Sequence, residues 1–464
     1  MRSARSQGAW LVLVAFIGAS LVFFWPTLVF TPFSDDHSAL WNSGVRGIPW
    51  RNGFFRPLSD ATFRLGDLLW GTSVAGHRAF NLVVHGVNAF LLFAWMERWA
   101  VRGTALLSSG LFLLYPFHQE SIVWLVGRES ALGTSSVLLG LVILTSGPWN
   151  GLRAILLATT LMLGALCYES ALLLVPMALL IAWSGVVQGW PTWRQLLVPL
   201  LLPALCYLAL RMNSTGSLIG GYFKDLVLGD DGPSLTTLPK VLGRLFLPPE
   251  PDHEVQLVRG AFLLVLLTIT AVMLRRIGPA MTRRSVVLHG LLLLIGCSVG
   301  SIAGVSTVTS ESDRFLYLPS AFLCAMVALL IAAIRMPIAR WVVIGLLGLT
   351  FLWQLRANHA NWVAASRITR QSVDALPAVP AQGDLWLSGL PDSYRGAYIF
   401  RNGFPEAVSL AGGPGDRIIV VPDDLRMAEV LREGLMFRGE LHRPRGTDLW
   451  YHWNGVSYDA IPVP

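Results

Sequence analysis

The stretch FTPFSDDHSALWNS, Phe30–Ser43, decides how the rest of the chain is read, because two adjacent carboxylates and a histidine stand directly behind an apolar run at residues 9–30. A run of that length can cross a bilayer as a helix. Arg2 and Arg5 precede it, as basic residues precede a secretory leader. The run is longer than a leader's apolar core of about 7–15 residues and lacks a small-residue cleavage site, so a retained helix is expected. The acids then sit where the chain leaves the membrane.

Composition agrees with a membrane protein. Hydrophobic residues make up 54% of the 464 and charged residues 14%, with a mean hydropathy of +0.57. A water-soluble globule needs more polar surface to cover itself. About eleven segments are apolar enough to span, some shortened or interrupted: 9–30, 79–96, 103–117, 130–147, 152–167, 169–183, 195–211, 260–275, 284–302, 316–334 and 339–355. The expected fold is therefore an α-helical polytopic membrane protein. With the N-terminus inside, Arg98, Arg102, Arg153, Arg194, the cluster Arg275, Arg276, Arg283 and Arg284, and Arg335 and Arg340 fall on the cytoplasmic side. An odd number of crossings puts the acids and the C-terminus outside.

Arg46, Arg51, Arg56 and Arg64 break that pattern in the first outer loop, residues 31–78, which favours a use for some of them. In the same loop Phe63, Leu65, Leu68 and Leu69 interleave with polar residues and predict an amphipathic helix lying along the membrane. A second outer loop, 212–259, is rich in Gly, Pro and acids (GDDGPS, LPPEPDHE). From Arg356 the pattern becomes that of a connecting helix, 356–379, and then a small α+β domain, 380–464. Asn402-Gly403 and Asn454-Gly455 are turn signals between alternating runs there, IIVVP is a buried strand and DDLRMAEVLREGL a capped helix. The net charge of +7, with only Lys224 and Lys240 as lysines, reads as topology signal and attraction to membrane lipids, and no basic run supports nucleic-acid binding. Cys167, Cys206, Cys297 and Cys324 lie in expected helices and read as small apolar side chains, with no zinc or disulfide spacing.

The chain lacks GxxxxGK[ST], a GxGxxG behind a strand, HExxH and GxSxG, so nucleotide hydrolysis, dinucleotide binding, zincin proteolysis and a hydrolase elbow have no signature. Polar groups gather instead at helix ends on one face: Asp35, Asp36 and His37; Arg56; His77, Asn81 and His85; His118, Glu120 and Arg128; Tyr168 and Glu169; Glu311, Asp313, Arg314 and Tyr317. Ionisable groups at the apolar zone are costly, and a cluster of them favours function, although any single one also fits a snorkelling anchor or an ion pair. His77 and His85, two turns apart, read as structural hydrogen-bonding groups.

The ordered set DDH, RPL, NLVVHGVNAFLL, YPFHQESIVWLVGRESAL, YESALL and DRFLYLPS resembles the membrane portion of the transmembrane and tetratricopeptide-repeat O-mannosyltransferases, which are glycosyltransferases of the GT-C class. The resemblance spans roughly residues 30–370. Tyr115-Pro116-Phe117-His118 replaces the family's His-Pro-x-His, Tyr168 stands where Lys is common, and no repeats follow the last helix.

The resemblance implies a GT-C-like bundle and transfer of a sugar from a polyprenyl-phosphate donor to a hydroxyl of a protein or glycan acceptor outside the cytoplasm. Asp35 or Asp36 would be the catalytic base. A divalent cation, Mg²⁺ or Mn²⁺, would suit ligation by the same pair. Arg314 beside Tyr317 would grip the donor phosphate, with Arg56 as second choice, while His118, Glu120, Arg128 and Glu169 would shape the rest of the substrate site. The arginine bias, the repeat-free C-terminus and the lack of an endoplasmic-reticulum retention signal suggest a bacterial inner membrane. An O-antigen-type polymerase or ligase, a lipid-linked glycan transporter and a non-catalytic envelope-assembly scaffold stay open as alternatives.

Overall fold

The computed structural model describes residues 2–48, 54–184, 191–218, 237–276, 280–422, 425 and 427–462. Residues 219–236 of the second outer loop, including GDDGPS, lie outside these residues. Each of the eleven expected spanning segments coincides with a helix, and among the described residues six helices are long and apolar enough to cross a membrane. The chain is thus built as an integral membrane protein. It divides into two compact units.

The first unit comprises Met1–Leu28, Arg51–Thr62 and Gly76–His359. Apolar helices pack closely in it where a small residue removes the side chain from a crossing. A methyl on Gly86, in helix Val74–Met96, would stand 2.6 Å from the Ile17 backbone in helix Arg2–Phe24. Ser20 Oγ donates to the Leu82 carbonyl at 2.7 Å across the same crossing. Gly164, in helix Gly151–Cys167, leaves room for Ser136 of helix Arg128–Thr145. Cys167, Cys297 and Cys324 are buried as expected, but Cys206 is exposed on helix Trp193–Thr215.

One stretch of this unit is irregular. Helix Arg102–Leu113 stops before Tyr115-Pro116, a single helical turn follows at Gln119–Ile122, and the next long helix starts only at Arg128. Backbone that leaves the helix in an apolar setting needs other partners for its carbonyls. They come from helix Val74–Met96 and from the next helix start: Arg78 Nε donates to Val123 O at 2.8 Å, Asn81 Nδ2 to Trp124 O at 3.2 Å, and Arg128 Nε to Leu125 O at 3.1 Å. Gly127 closes the stretch, since a methyl there would lie 2.0 Å from the Glu120 carbonyl.

The second unit comprises Val29–Trp50, Phe63–Ala75 and Ala360–Pro464. The acidic motif forms one helical turn, Asp35–Ser38, which widens into π-helical backbone over Ala39–Val45. Helix Pro57–Trp70 carries the expected amphipathic pattern: Phe63 is buried, while Leu65, Leu68 and Leu69 are 54%, 70% and 63% exposed, an apolar face free to meet lipid. The last long helix runs unbroken over Pro337–Asp374.

The C-terminal domain is a small mixed structure, as its turn signals imply. Strands β1 (Leu385–Ser388), β4 (Ile418–Val420), β7 (Leu449–Trp453) and β8 (Tyr458–Ala460) form a sheet in the order β4-β1-β7-β8, with β1 parallel to both its neighbours and β8 antiparallel to β7. Two hairpins accompany it, β2 (Ser393–Tyr394) with β3 (Ala397–Tyr398) and β5 (Leu435–Phe437) with β6 (Glu440–His442). Trp386 and Trp450 stack at 4.7 Å in its core with Ile419, Val421, Val430 and Leu435. Within IIVVP the strand is Ile418–Val420, its two isoleucines buried, and a helix covers Met427–Glu433 within the stretch read as capped, whose Asp423 and Asp424 lie outside the described residues.

Asn454-Gly455 joins β7 to β8, with Asn454 Oδ1 accepting from the backbone of Val456 and Ser457 at 2.9 Å each. Asn402-Gly403 departs from the expectation. The run behind it is no strand but the helix Phe404–Leu410, because Pro405 stands in its first turn, where a fixed φ and a missing N–H favour helix initiation.

Candidate functional site

In the first unit several charged groups meet in opposite pairs. Arg56 bridges two carboxylates: Nη1 contacts Glu129 Oε2, and Nε donates to Glu169 Oε2 at 3.0 Å. Arg211 Nη1 holds the other oxygen of Glu169 at 2.7 Å and reaches Tyr207 Oη at 3.3 Å. Ser59 Oγ donates to Glu129 at 3.3 Å, and the rings of Phe54 and Tyr168 each lie 4.5 Å from the Arg56 guanidinium. Burial works against the charge of Arg56, but the Glu129 and Glu169 carboxylates outweigh it and push its pKa up.

A second pair joins Arg314 to Glu120, through the side chains and through a 3.2 Å bond from the Arg314 amide to Glu120 Oε2. Arg314 is partly exposed and Glu120 buried. A third, fully buried pair joins Arg244 to Asp313. Arg314, Tyr168, Ser130, Thr134 and Ser170 line a small recess together with Phe315 and Leu318.

Several expected site residues are engaged with the protein itself. Tyr317 is fully buried, its hydroxyl 2.7 Å from His85 Nδ1 and 3.2 Å from Asn88 Nδ2. His118 is fully buried with Nε2 at 2.7 Å from Ser320 Oγ. Arg128, beyond its bond to Leu125, donates to the His77 carbonyl at 3.2 Å. Glu129, Arg211, Tyr207 and Arg244 were not among the residues singled out from sequence. An arginine inside the apolar run 195–211 is itself the signal that could have found Arg211.

Asp35 and Asp36 belong to the second unit, on adjacent positions of one turn with unlike surroundings. Asp36 is fully buried, and its Oδ2 accepts from the Phe33 amide at 3.1 Å, closing its own turn. Asp35 is partly exposed. Phe33, packed edge-on against Trp362 at 4.9 Å, and Thr31, bonded to Ser366 at 3.0 Å, fix the approach to the turn. His37 is buried against Phe400, and burial lowers its pKa to about 4, with the Ser34 carbonyl as a partial offset.

As a metal site the acidic turn is meagre. Among the described residues no group of three or more His, Cys, Asp or Glu side chains is close enough to hold an ion, and one Asp36 oxygen already accepts a backbone bond. Among the described residues, these side chains do not by themselves make up a dedicated divalent-cation site.

No protein-family model matches the chain. It is similar to the human protein O-mannosyl-transferase TMTC3, 28% identical over 126 residues, which is 26% of this chain and 14% of the relative. It is also similar to protein O-mannosyl-transferase Tmtc1 of Drosophila melanogaster, 33% identical over 78 residues, 17% of this chain and 9% of the relative. The chain thus matches only a small part of the length of these curated relatives. The resemblance first seen in the motifs extends to proteins of that description. Among solved structures, the oligosaccharyltransferase AglB of Archaeoglobus fulgidus, in complex with an inhibitory peptide and a dolichol-phosphate, overlaps 90% of this chain and 65% of its own at 13% identity, with a TM-score of 0.48.

Two consequences can be measured. Arg56→Ala takes the guanidinium from the buried Glu129 carboxylate and leaves the partly exposed Glu169 with Arg211, a change that costs on the order of 3 kcal/mol, so the purified variant should melt well below wild type in detergent; Glu129→Gln, which removes the buried charge as well, should cost less. Wild-type melting for Arg56→Ala would show that the bridge carries no stability. For His37 the folded pKa lies below the ordinary 6.5, so the contribution is intact above pH 6.5 and lost as pH falls toward 4, by up to roughly 3 kcal/mol. Proteolysis rates of the second unit between pH 7 and 4.5 should rise in wild type and stay flatter in His37→Gln.

Proposed function

We propose that this chain is an integral-membrane glycosyltransferase that moves a sugar from a polyprenyl-phosphate donor to an acceptor hydroxyl at the extracytoplasmic face, in the manner of an O-mannosyltransferase. The acidic turn carries the reading: a partly exposed carboxylate beside a buried one, directly behind a membrane-spanning helix. The similarity to curated O-mannosyl-transferases supports the same class. Outside the cytoplasm nucleotide sugars are absent, and a lipid-linked donor explains why the polar residues gather at helix ends.

In the proposed reaction the acceptor oxygen attacks the anomeric carbon while its proton passes to the Asp35 carboxylate. The bond from the anomeric carbon to the phosphate oxygen breaks, and its electron pair leaves with the polyprenyl phosphate. One displacement inverts the anomeric centre. Asp35 takes the role of base because it is the more accessible of the pair, and Asp36 holds the turn. Arg314 is the proposed donor-phosphate ligand: partly exposed and forked, it can share its donors between Glu120 and phosphate oxygens as charge develops there. Glu120 keeps the guanidinium oriented, and Arg56 bound to Glu129 and Glu169 serves as scaffold. A bacterial inner membrane is the proposed location, with a protein or glycan as acceptor.

Membranes carrying wild type, Asp35→Asn or Asp36→Asn at equal protein levels are assayed for transfer of radiolabelled sugar from a polyprenyl-phosphate donor to endogenous acceptors. Asp35→Asn should lose at least 100-fold, on the order of what a general base contributes. Asp36→Asn should lose less. Undiminished transfer in both variants would refute the mechanism.

A further inference from the structure

The seryl residue ahead of the acids is held in an unusual backbone conformation. Ser34 has φ 45° and ψ −118°, a region that residues with a side chain occupy only where their surroundings impose it, and such strain gathers at functional sites. The imposing contacts come from the C-terminal domain. The Ser34 amide donates to the Ile399 carbonyl at 2.8 Å, and Ser34 Oγ accepts from the Asn402 amide at 3.2 Å. Gly403, at φ +86°, lies so close that a methyl on it would stand 2.4 Å from the Ser34 carbonyl oxygen. That carbonyl is also the acceptor for the His37 amide at 3.1 Å, so it closes the turn that carries both acids.

The loop making these contacts is anchored in its own domain. Ile399 N donates to Asp392 O at 2.9 Å and Phe400 N to Pro391 O at 3.1 Å, in the segment leaving the carboxyl end of β1. Phe400 stacks on His37 at 5.7 Å, and the helix Phe404–Leu410 packs against the Asp35–Ser38 turn. A continuous set of contacts therefore runs from the sheet through Ile399–Gly403 to Ser34.

We propose that the Asn402–Gly403 turn is a positioning clamp, through which the C-terminal domain holds Ser34 in its strained conformation and so sets the orientation of the Asp35 carboxylate. Gly403, Asn402 and Ser34 are positioning residues, and the claim that they serve catalysis rests on the reading of Asp35 as the base. Release of the clamp lets Ser34 relax to an ordinary conformation, which rotates the peptide leading into Asp35. A misplacement of about 1 Å can cost on the order of 100-fold in rate. The domain is thereby a required part of the acidic site.

The fold supplies a matched control. Gly412 has φ +84° and nothing within 4 Å of the point where a methyl would stand, so Gly412→Ala bears the same left-handed backbone penalty without touching Ser34. Full-length wild type, Gly403→Ala, Gly412→Ala and the milder Ser34→Ala are compared in detergent by hydrogen exchange of the 30–40 peptide and by sugar transfer from a polyprenyl-phosphate donor. Gly403→Ala should exchange faster at 33–38 and lose at least 10-fold in kcat with the donor KM within two-fold; Ser34→Ala should show a smaller loss, and Gly412→Ala should match wild type in both. Wild-type exchange in Gly403→Ala, equal effects in Gly412→Ala, or faster exchange with undiminished kcat would each overturn the clamp. A wild type that transfers no sugar while Gly403→Ala still loosens the 30–40 peptide would overturn the glycosyltransferase reading and leave the contact itself standing.

Discussion

A guanidinium held between two carboxylates, Arg56 between Glu129 and Glu169, is the contact on which the first unit depends. The three residues of this contact come from distant parts of the chain: Arg56 ahead of helix Pro57–Trp70, Glu129 in the first turn of helix Arg128–Thr145, and Glu169 at the break behind the helix ending at Cys167. In a setting poor in water each charge alone would be costly, and together they can be retained because every one faces an opposite partner. Arg211 extends the chain of pairs by one. The pairing at Arg314 and Glu120 follows the same rule, with Arg314, like Arg56, partly exposed beside a buried carboxylate.

The same constraint on polar groups explains residues that a motif comparison would assign to catalysis. Asn81 and Arg128 belong to the stretches that carry the resemblance, yet both donate to carbonyls of the irregular segment between Tyr115 and Gly127. Such a segment can stay inside an apolar bundle only if side chains replace its missing helical bonds. Gly127 has a comparable reason, the close approach of the Glu120 backbone. These positions build the support on which Glu120 and the helix bearing Glu129 are carried.

Much of this architecture is legible in the sequence because length and apolar periodicity report directly on helices in a membrane. The amphipathic pattern of Phe63, Leu65, Leu68 and Leu69 reappears as one buried and three exposed positions, and Asn454-Gly455 forms the hairpin its dipeptide implies. Partners are what periodicity cannot report. His85 and Tyr317 are 232 positions apart, and only the fold shows that their hydrogen bond closes off a tyrosine that reads as a ligand group. Arg211 stands at the end of an apolar run, and nothing local to it points to Glu169 as its partner. Asn402-Gly403 carried a correct turn signal, but Pro405 makes the next run a helix, and no local pattern discloses that the turn seats on Ser34.

Asp35 and Asp36 show how one dipeptide can meet two environments. Asp36 is buried and closes the turn through the Phe33 amide, while its neighbour is partly exposed, a difference set by surroundings and not by residue type. The proposed chemistry requires a lipid monophosphate as the leaving group when that accessible carboxylate takes its proton. The most direct test is mass spectrometry of the lipid released when the purified full-length protein turns over a polyprenyl-phosphate sugar with its acceptor. Polyprenyl monophosphate should appear in step with glycosylated acceptor; glycosylated acceptor formed only from a pyrophosphate-linked donor, with release of the pyrophosphate lipid, would contradict it.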